Sequence, residues 1–219
     1  MISILLAVHN GEKYISQSID SIINQTFENW ELLIGFNGTI DSSKDIVDSY
    51  NDDRIKTFDY GNDKGKAKTL NKLIKEAQYD WCAIQDDDDI WLSKKLEKQI
   101  KHTKDCDVVG SYIHYINENG SITGSPNLSQ NHGQIKTKSL IGINQIANSS
   151  AIFKKDAAAQ INFWREDIDG VEDFDFWLRL LRAGYSFYNI PEYITLHRLH
   201  ASSHFNSQES QNLKINEIL

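Results

Sequence analysis

The sequence predicts an α/β fold, a mixed but mostly parallel sheet flanked by helices. Two observations predict it. Apolar runs of strand length alternate with stretches of helical period through the first hundred residues, and such alternation implies right-handed crossovers between parallel strands. About 40% of the 219 residues are apolar, enough at this length to bury a sizeable core.

Ile2–Val8 is the first strand, and Ile15, Ile19, Ile22 and Ile23 then recur on one face of a helix. Trp30–Phe36 is a strand, and Ile46, Val47 and Tyr50 mark a shorter helix. Arg54–Phe58 is a third strand. Ala67, Leu70, Leu73, Ile74 and Ala77 mark the next helix, and Trp81–Gln85 a fourth strand. In the second half Val108–Ile116 is a long strand, followed by an Asn-Gly turn at Asn119-Gly120 that suggests a hairpin. Ser125–Gly133 is a polar loop, and Ser150–Phe153 a further strand. Glu172–Ala183 is a helix that Gly184 is placed to end. Tyr185–Asn189 and Tyr193–Arg198 are strands on either side of Pro191. Beyond Ser202 the chain is polar, helical or frayed.

With 23 basic against 31 acidic residues the net charge is -8, which excludes the broad positive field of a general nucleic-acid binder. No apolar run approaches the roughly 18 residues that span a bilayer. Ile2–Val8 has no basic flank and runs into His9-Asn10-Gly11, so it reads as a buried strand rather than a leader. The two cysteines, Cys82 and Cys106, do not make a disulfide framework and fit a reducing, cytoplasmic setting.

Ligands of open α/β sheets bind beyond the carboxyl ends of the strands, which directs attention to His9–Glu12, Phe36–Asp41 and Asp86–Asp89. Asp86-Asp87-Asp88-Asp89 are four adjacent carboxylates at the end of a buried strand. A solvated turn before a helix accounts for one or two of them. A divalent cation bound by oxygen ligands would relieve the repulsion among the rest, and Asp86 and Asp88 point the same way in an extended segment. An EF-hand is excluded, because Trp91 occupies the sixth position where glycine is required.

Trp81–Leu92 with Lys95-Leu96-Glu97 resembles the Asp-X-Asp region of family 2 glycosyltransferases with the GT-A, Rossmann-like fold. Ala7–Tyr14, Ser21–Thr26, Gly65–Asn71, Glu172-Asp173 before Phe174–Gly184, and Arg198-Leu199-His200 are similar to further motifs of that family in the same order. The resemblance implies one GT-A domain over 1–205, with 1–105 the nucleotide-binding half and 106–205 the acceptor half, and a tail over 206–219. It implies an inverting transfer of sugar from a nucleoside diphosphate, by the usual pattern a UDP-sugar, to a hydroxyl acceptor in polysaccharide or glycan assembly. The cofactor it implies is a divalent metal, Mn²⁺ or Mg²⁺. A lipid-linked acceptor would bring the protein to the inner face of a membrane peripherally.

Residue by residue, the resemblance implies Asp88 as metal ligand, with His200 completing the metal or diphosphate site. His197 and His204 offer the same chemistry nearby. Asp86 falls near the ribose or sugar, Asp87 is the variable middle acid, and Asp89 is structural or capping. Asp173 is the implied base that takes the acceptor proton, supported by Glu172; alternatively the two acids only complement the helix dipole. Val8, His9, Asn10, Glu12, Asn37 and Lys68 complete the nucleotide-sugar side, with Lys64 and Lys66 as further basic residues there. His9 contacts the base or packs in the core. Phe36 and Asn37 depart from the pair of aspartates common in relatives, Asn37 offering both a donor and an acceptor and Phe36 stacking or packing. Trp164 is the expected acceptor-side sugar platform, with Trp91 and Trp177 as alternatives. A different class of function, a catalytically idle nucleotide-sugar-binding module, shares this fold. A sugar nucleotidyltransferase does not fit, since His9–Glu12 is not the glycine-rich basic loop it requires.

Overall fold

The computed structural model describes residues 1–168, 170–200, 215 and 218–219. The first half runs β1 (Ile2–Val8), α1 (Ile15–Ile23), β2 (Trp30–Phe36), α2 (Ser43–Asp48), β3 (Ile55–Asp59), α3 (Lys66–Glu76) and β4 (Trp81–Asp86). The second runs β5 (Ile90–Trp91), α4 (Lys95–Gln99), β6 (Val108–Ile116), β7 (Ile122–Gly124), α5 (His132–Ser139), β8 (Ile152–Lys154), α6 (Lys155–Gln160), α7 (Glu172–Arg182) and β9 (Phe187–Arg198).

The strands form one mixed sheet in the order β3-β2-β1-β4-β8-β6-β9-β5, with β7 beside β6. The long ladders are parallel: β1 with β2 and β4, β2 with β3, and β6 with β9. The short β8 runs antiparallel between β4 and β6. Two reversals restore the original direction, so β6 and β9 point the same way as β1, β2 and β4. Their carboxyl ends therefore share one edge.

Side chains alternate across β1. Ile2, Ile4, Leu6 and Val8 pack with Ile15, Ile19 and Ile22 of α1 on one face. Leu5 packs with Leu70, Leu73 and Ile74 of α3 and with Phe176, Trp177 and Leu180 of α7 on the other. A strand buried on both faces reads as a near-continuous apolar run, which is why Ile2–Val8 shows no alternation; its one polar residue, Ser3, donates to Glu31. Gly184 ends α7 at φ +92°. Its N–H donates to Leu181 and that of Tyr185 to Leu180, the paired bonds of a Schellman cap. Cys82 is buried and free, and burial pushes its thiol up to about 12.

Several features differ from the sequence expectation, among them β5 and α4, which it did not mark, and the start of α5 at His132 inside the expected loop. β9 is one strand through Pro191 rather than two flanking it. Proline has no N–H to donate, and the ladder accommodates it by a shift: Ser111 pairs with Ile190, but Tyr112 pairs with Tyr193. Helix α5 has no apolar stripe, burying only Ile135 and Ser139 and capped by the Asn131 side chain on the Gln134 N–H. Helix α6 buries only Ala157 and Ala158. Short helices with so few buried positions have no legible period. Among the described residues no helix is long and apolar enough to cross a membrane.

Gly110, in the middle of β6, makes room for Asn189 of β9. A Cβ there would lie 2.1 Å from Asn189 Oδ1. The Asn189 amide donates to the carbonyls of Ser129 and Gln145, each at 2.8 Å, tying two loops to the sheet. Gly110→Ala should therefore displace Asn189 and lower unfolding stability by about 1–3 kcal/mol, as measured by urea denaturation.

Candidate active site

Asp86 closes β4, and the chain turns at once, with the Asp89 N–H donating to the Asp86 carbonyl. The turn holds its shape because Asp89 is fully buried and saturated. Its carboxylate accepts from the Arg198 N–H at 2.8 Å and contacts His197 Nδ1 at 3.0 Å. Arg198 is itself buried: it donates to the carbonyls of Asp88, Asn117 and Glu118 and to Gln17, over the ring of Tyr14. The end of β9 thus clasps the acidic turn. His200, two residues on, brings Nε2 to 2.8 Å from Asp88 Oδ2. Asp89 is structural, as expected. His204 lies outside the described residues, as does most of the 206–219 tail.

The remaining acids differ in charge state. Burial works against ionisation of Asp86, but the ammonium of Lys66 at 2.6 Å outweighs it and holds the carboxyl below its usual range. Asn148 supports the same carboxylate at 3.3 Å. Burial, then Asp88 and Asp86, push Asp87 well above the usual range. Burial with Asp89 and Asp86 lifts Asp88 to about 6 despite the bond from His200. Gly11 faces this turn: a Cβ there would lie 2.3 Å from Asp87 Oδ2, so a larger residue would push the Asp87 side chain aside.

Lys66 also links the acidic turn to α7, since Glu172 and Asp173 contribute with Asp86 to raising its pKa against burial. Burial, and then Glu172, push Asp173 up to about 6. Asp173 accepts from Asn144 at 3.2 Å through Oδ2 and from the Phe174 N–H through Oδ1. Glu172 Oε2 is buried without a hydrogen-bond partner among the described residues. The structure therefore brings together Asp86, Asp87, Asp88, His200, Glu172 and Asp173. It brings in Lys66, which the sequence reading named only as a further basic residue, and Arg198, named only as the start of the closing motif, and it adds Asn144 and Asn148, which the sequence did not single out.

The expectation for Lys68 is corrected. Its ammonium pairs with Asp63 at 3.1 Å, as does Lys72 at 2.6 Å, on the solvent side of α3. Lys66 shares its helix face with Leu70 and Leu73, at i+4 and i+7, and so points inward. That spacing was the signal for the basic residue of the site. Asn37 is also redirected: it is 3% exposed, and its amide donates to Thr69 Oγ1 at 2.7 Å, so its donor serves the scaffold rather than a base edge. Its carbonyl meets His9 Nδ1 at 2.7 Å. His9 is exposed at the rim, not packed in the core.

Val8 supplies its carbonyl to Asn37 and Thr39. Asn10, at φ 57°, accepts from the Ile40 N–H, and Glu12 accepts from the Ser42 N–H. These residues shape the loops around the β1 and β2 ends. Phe36 is buried in the core.

Trp164 does not offer a sugar platform. It is 2% exposed and stacked on Phe176 at 4.2 Å, with Phe153 against its edge. Trp91 and Trp177 are buried as well. An indole with its ring covered by core side chains has no face left for a pyranose.

Among the described residues no group of three acidic, histidine or cysteine side chains converges as a complete metal cage. The donor set nonetheless suits a hard or borderline divalent ion. Asp88 and His200 meet at 2.8 Å, and such ions commonly take one or two protein ligands, filling the rest with substrate phosphates and water.

A family model described as Glycosyl transferase family 2 matches residues 3–161. The chain belongs to that family, has the GT-A fold and is an enzyme of the glycosyltransferase class. It is 33% identical over 212 residues to the O-antigen biosynthesis glycosyltransferase WbnJ of Escherichia coli, covering 93% of this chain and 81% of that protein. It is 29% identical over 204 residues to the UDP-Glc:alpha-D-GlcNAc-diphosphoundecaprenol beta-1,3-glucosyltransferase WfaP of Escherichia coli, covering 93% and 79%. The crystal structure of S. aureus TarS 1-349 in complex with UDP-GlcNAc has the same fold, at TM-score 0.78 and 17% identity. This chain spans 60% of that one, and 94% of its own length is covered.

The clasp carries its own pH dependence. Burial opposes charge on His197, but Asp89 prevails and lifts the imidazole from 6.5 to about 9. A pKa raised by folding stabilises fully below the unfolded value and is lost as pH rises through the folded one. Stability to urea should thus decline between pH 6.5 and 9, by at most about 3 kcal/mol. Asp89→Asn should flatten that decline.

Proposed function

We propose that the enzyme transfers a sugar, with inversion, from a uridine diphosphate donor to a hydroxyl of a growing glycan, and that the acceptor is lipid-linked. The observation that carries this reading is the meeting of the acidic turn with Glu172-Asp173 around Lys66. A leaving-group site and a proton-accepting site must lie on either side of the reacting carbon, and Lys66, ion-paired to Asp86 and in the field of Glu172 and Asp173, links them here. The nucleotide and the lipid-linked acceptor are supported by what TarS holds and by what the name of WfaP states.

The acceptor oxygen attacks the anomeric carbon, and the bond from that carbon to the diphosphate breaks. Asp173 takes the acceptor proton, most directly at Oδ2, which Asn144 orients. A carboxylate lifted to about 6 is ionised at neutral pH yet basic enough to accept a proton as the nucleophile forms. Glu172 Oε2 supplies an acceptor for the same hydroxyl or its neighbour. Lys66 keeps Asp86 ionised beside the donor. Asp88 and His200 would hold a divalent ion, which when bound supplies positive charge to the departing diphosphate. The single-domain division at 1–205 and the inner-membrane-face setting accompany this reading.

Asp173→Asn should lower kcat at least about a hundredfold with donor affinity nearly unchanged, checked by turnover assays and calorimetry with UDP-sugars. Wild-type turnover after mutation would remove Asp173 from the role. For the wild type, kcat/KM should fall as pH drops through about 6, because protonated Asp173 cannot accept. Excess EDTA should abolish transfer and added Mn²⁺ restore it; activity indifferent to EDTA would remove the ion.

A further inference from the structure

Beside the acid pair the chain presents an aliphatic tip. After α5 it turns through Leu140, Ile141 and Ile143, which are 42%, 67% and 50% exposed, around Gly142 at φ +88°. Ile215 and Leu219 lie against Gly142 and extend the apolar surface. The next residue, Asn144, turns inward and donates to Asp173. One residue therefore separates the tip from the candidate base.

The stretch of chain that carries this tip differs in charge from the rest of the sequence. The protein carries 31 acids against 23 bases, yet no aspartate or glutamate lies between Glu118 and Asp156. Lys136 and Lys138 stand in the last turn of α5, directly before the tip. Isolated exposed aliphatics are ordinary, but a contiguous set flanked by basic residues marks an interaction surface. A few side chains at a loop tip are too small for a stable protein interface, which buries upwards of about 1,000 Å². Shallow insertion with lysines at the headgroups is the chemistry of contact with an anionic bilayer.

We propose that the Leu140–Ile143 tip inserts into an anionic membrane surface, with Lys136 and Lys138 against the headgroups, and so holds Asp173 at the height of a sugar carried on a lipid diphosphate. This rests on the lipid-linked acceptor of the proposed function and names the surface that serves it. Apolar groups of this kind penetrate about 5–10 Å into the boundary between headgroups and acyl chains.

The test is co-sedimentation of the full chain with phosphatidylglycerol-containing vesicles and with pure phosphatidylcholine vesicles. Binding should require the anionic lipid and weaken with salt. Ile141→Ser/Ile143→Ser should reduce the bound fraction about tenfold, and Lys136→Gln/Lys138→Gln should reduce it in part, both with unchanged melting temperature because the side chains are exposed. Transfer to a vesicle-borne acceptor should fall with binding, while transfer to a short water-soluble acceptor stays unchanged. Equal vesicle binding by wild type and the isoleucine double variant overturns the proposal. So does a wild-type dimer, seen by light scattering, that the double variant abolishes. Loss of vesicle binding in that variant supports the contact even if neither acceptor is glycosylated, an outcome that would fail the transfer reading alone.

Discussion

Four adjacent carboxylates held largely out of water would repel one another apart unless each had a partner, and the site is organised by how that repulsion is met. The protein neutralises two of them itself. Asp86 has Lys66, and Asp89 has His197 with the Arg198 N–H. Asp87 and Asp88 are left with carboxyls above their usual range, the condition of groups whose countercharge is incomplete. The fold sets Lys66 and His197 at the two ends of one turn and leaves its middle under-compensated, which is the charge pattern that the proposed cation requires.

The direction of the strands decides where that turn can find partners. Because β8 reverses the chain twice over, β6 and β9 deliver their carboxyl ends to the edge reached by β1, β2 and β4. The arginine that ends β9 and the histidine beyond it are thereby placed on a turn more than a hundred residues earlier. Helix α7 brings its acidic first turn to the same edge, where Lys66 meets the fields of both groups.

Much of this was legible. β1, β2 and β6 have the ends read from their apolar runs, each followed at once by a polar residue, His9, Asn37 and Asn117. The acid turn, Asp173 and His200 were found through motifs, and the structure brings them together. Less was legible where burial depends on a partner far away in sequence. Trp164 has the composition of a sugar platform, but Phe153 and Phe176 cover it. Lys68 and Lys66 look alike in sequence, and only the phase of the α3 core stripe separates them. Asn37 offers a polar edge that Thr69 takes inward. The helices α5 and α6 bury too few residues to show a period.

The shift in β9 at Pro191 has a consequence for how the two sides of the cleft are kept in phase. Upstream of it, Asn189 anchors the segment that leads to Asn144; downstream, Arg198 and His200 grip the acidic turn. Side chains alternate faces along a strand, and the ladder with β6 leaves three residues, Pro191, Glu192 and Ile194, without partners, so β9 changes phase against β6 between these anchors. Deleting any one of the three would turn Arg198 and its neighbours to the opposite face relative to Asn189. The strand thus acts as a ruler between the two sides of the cleft, its phase set by the bulged stretch from Pro191 to Ile194.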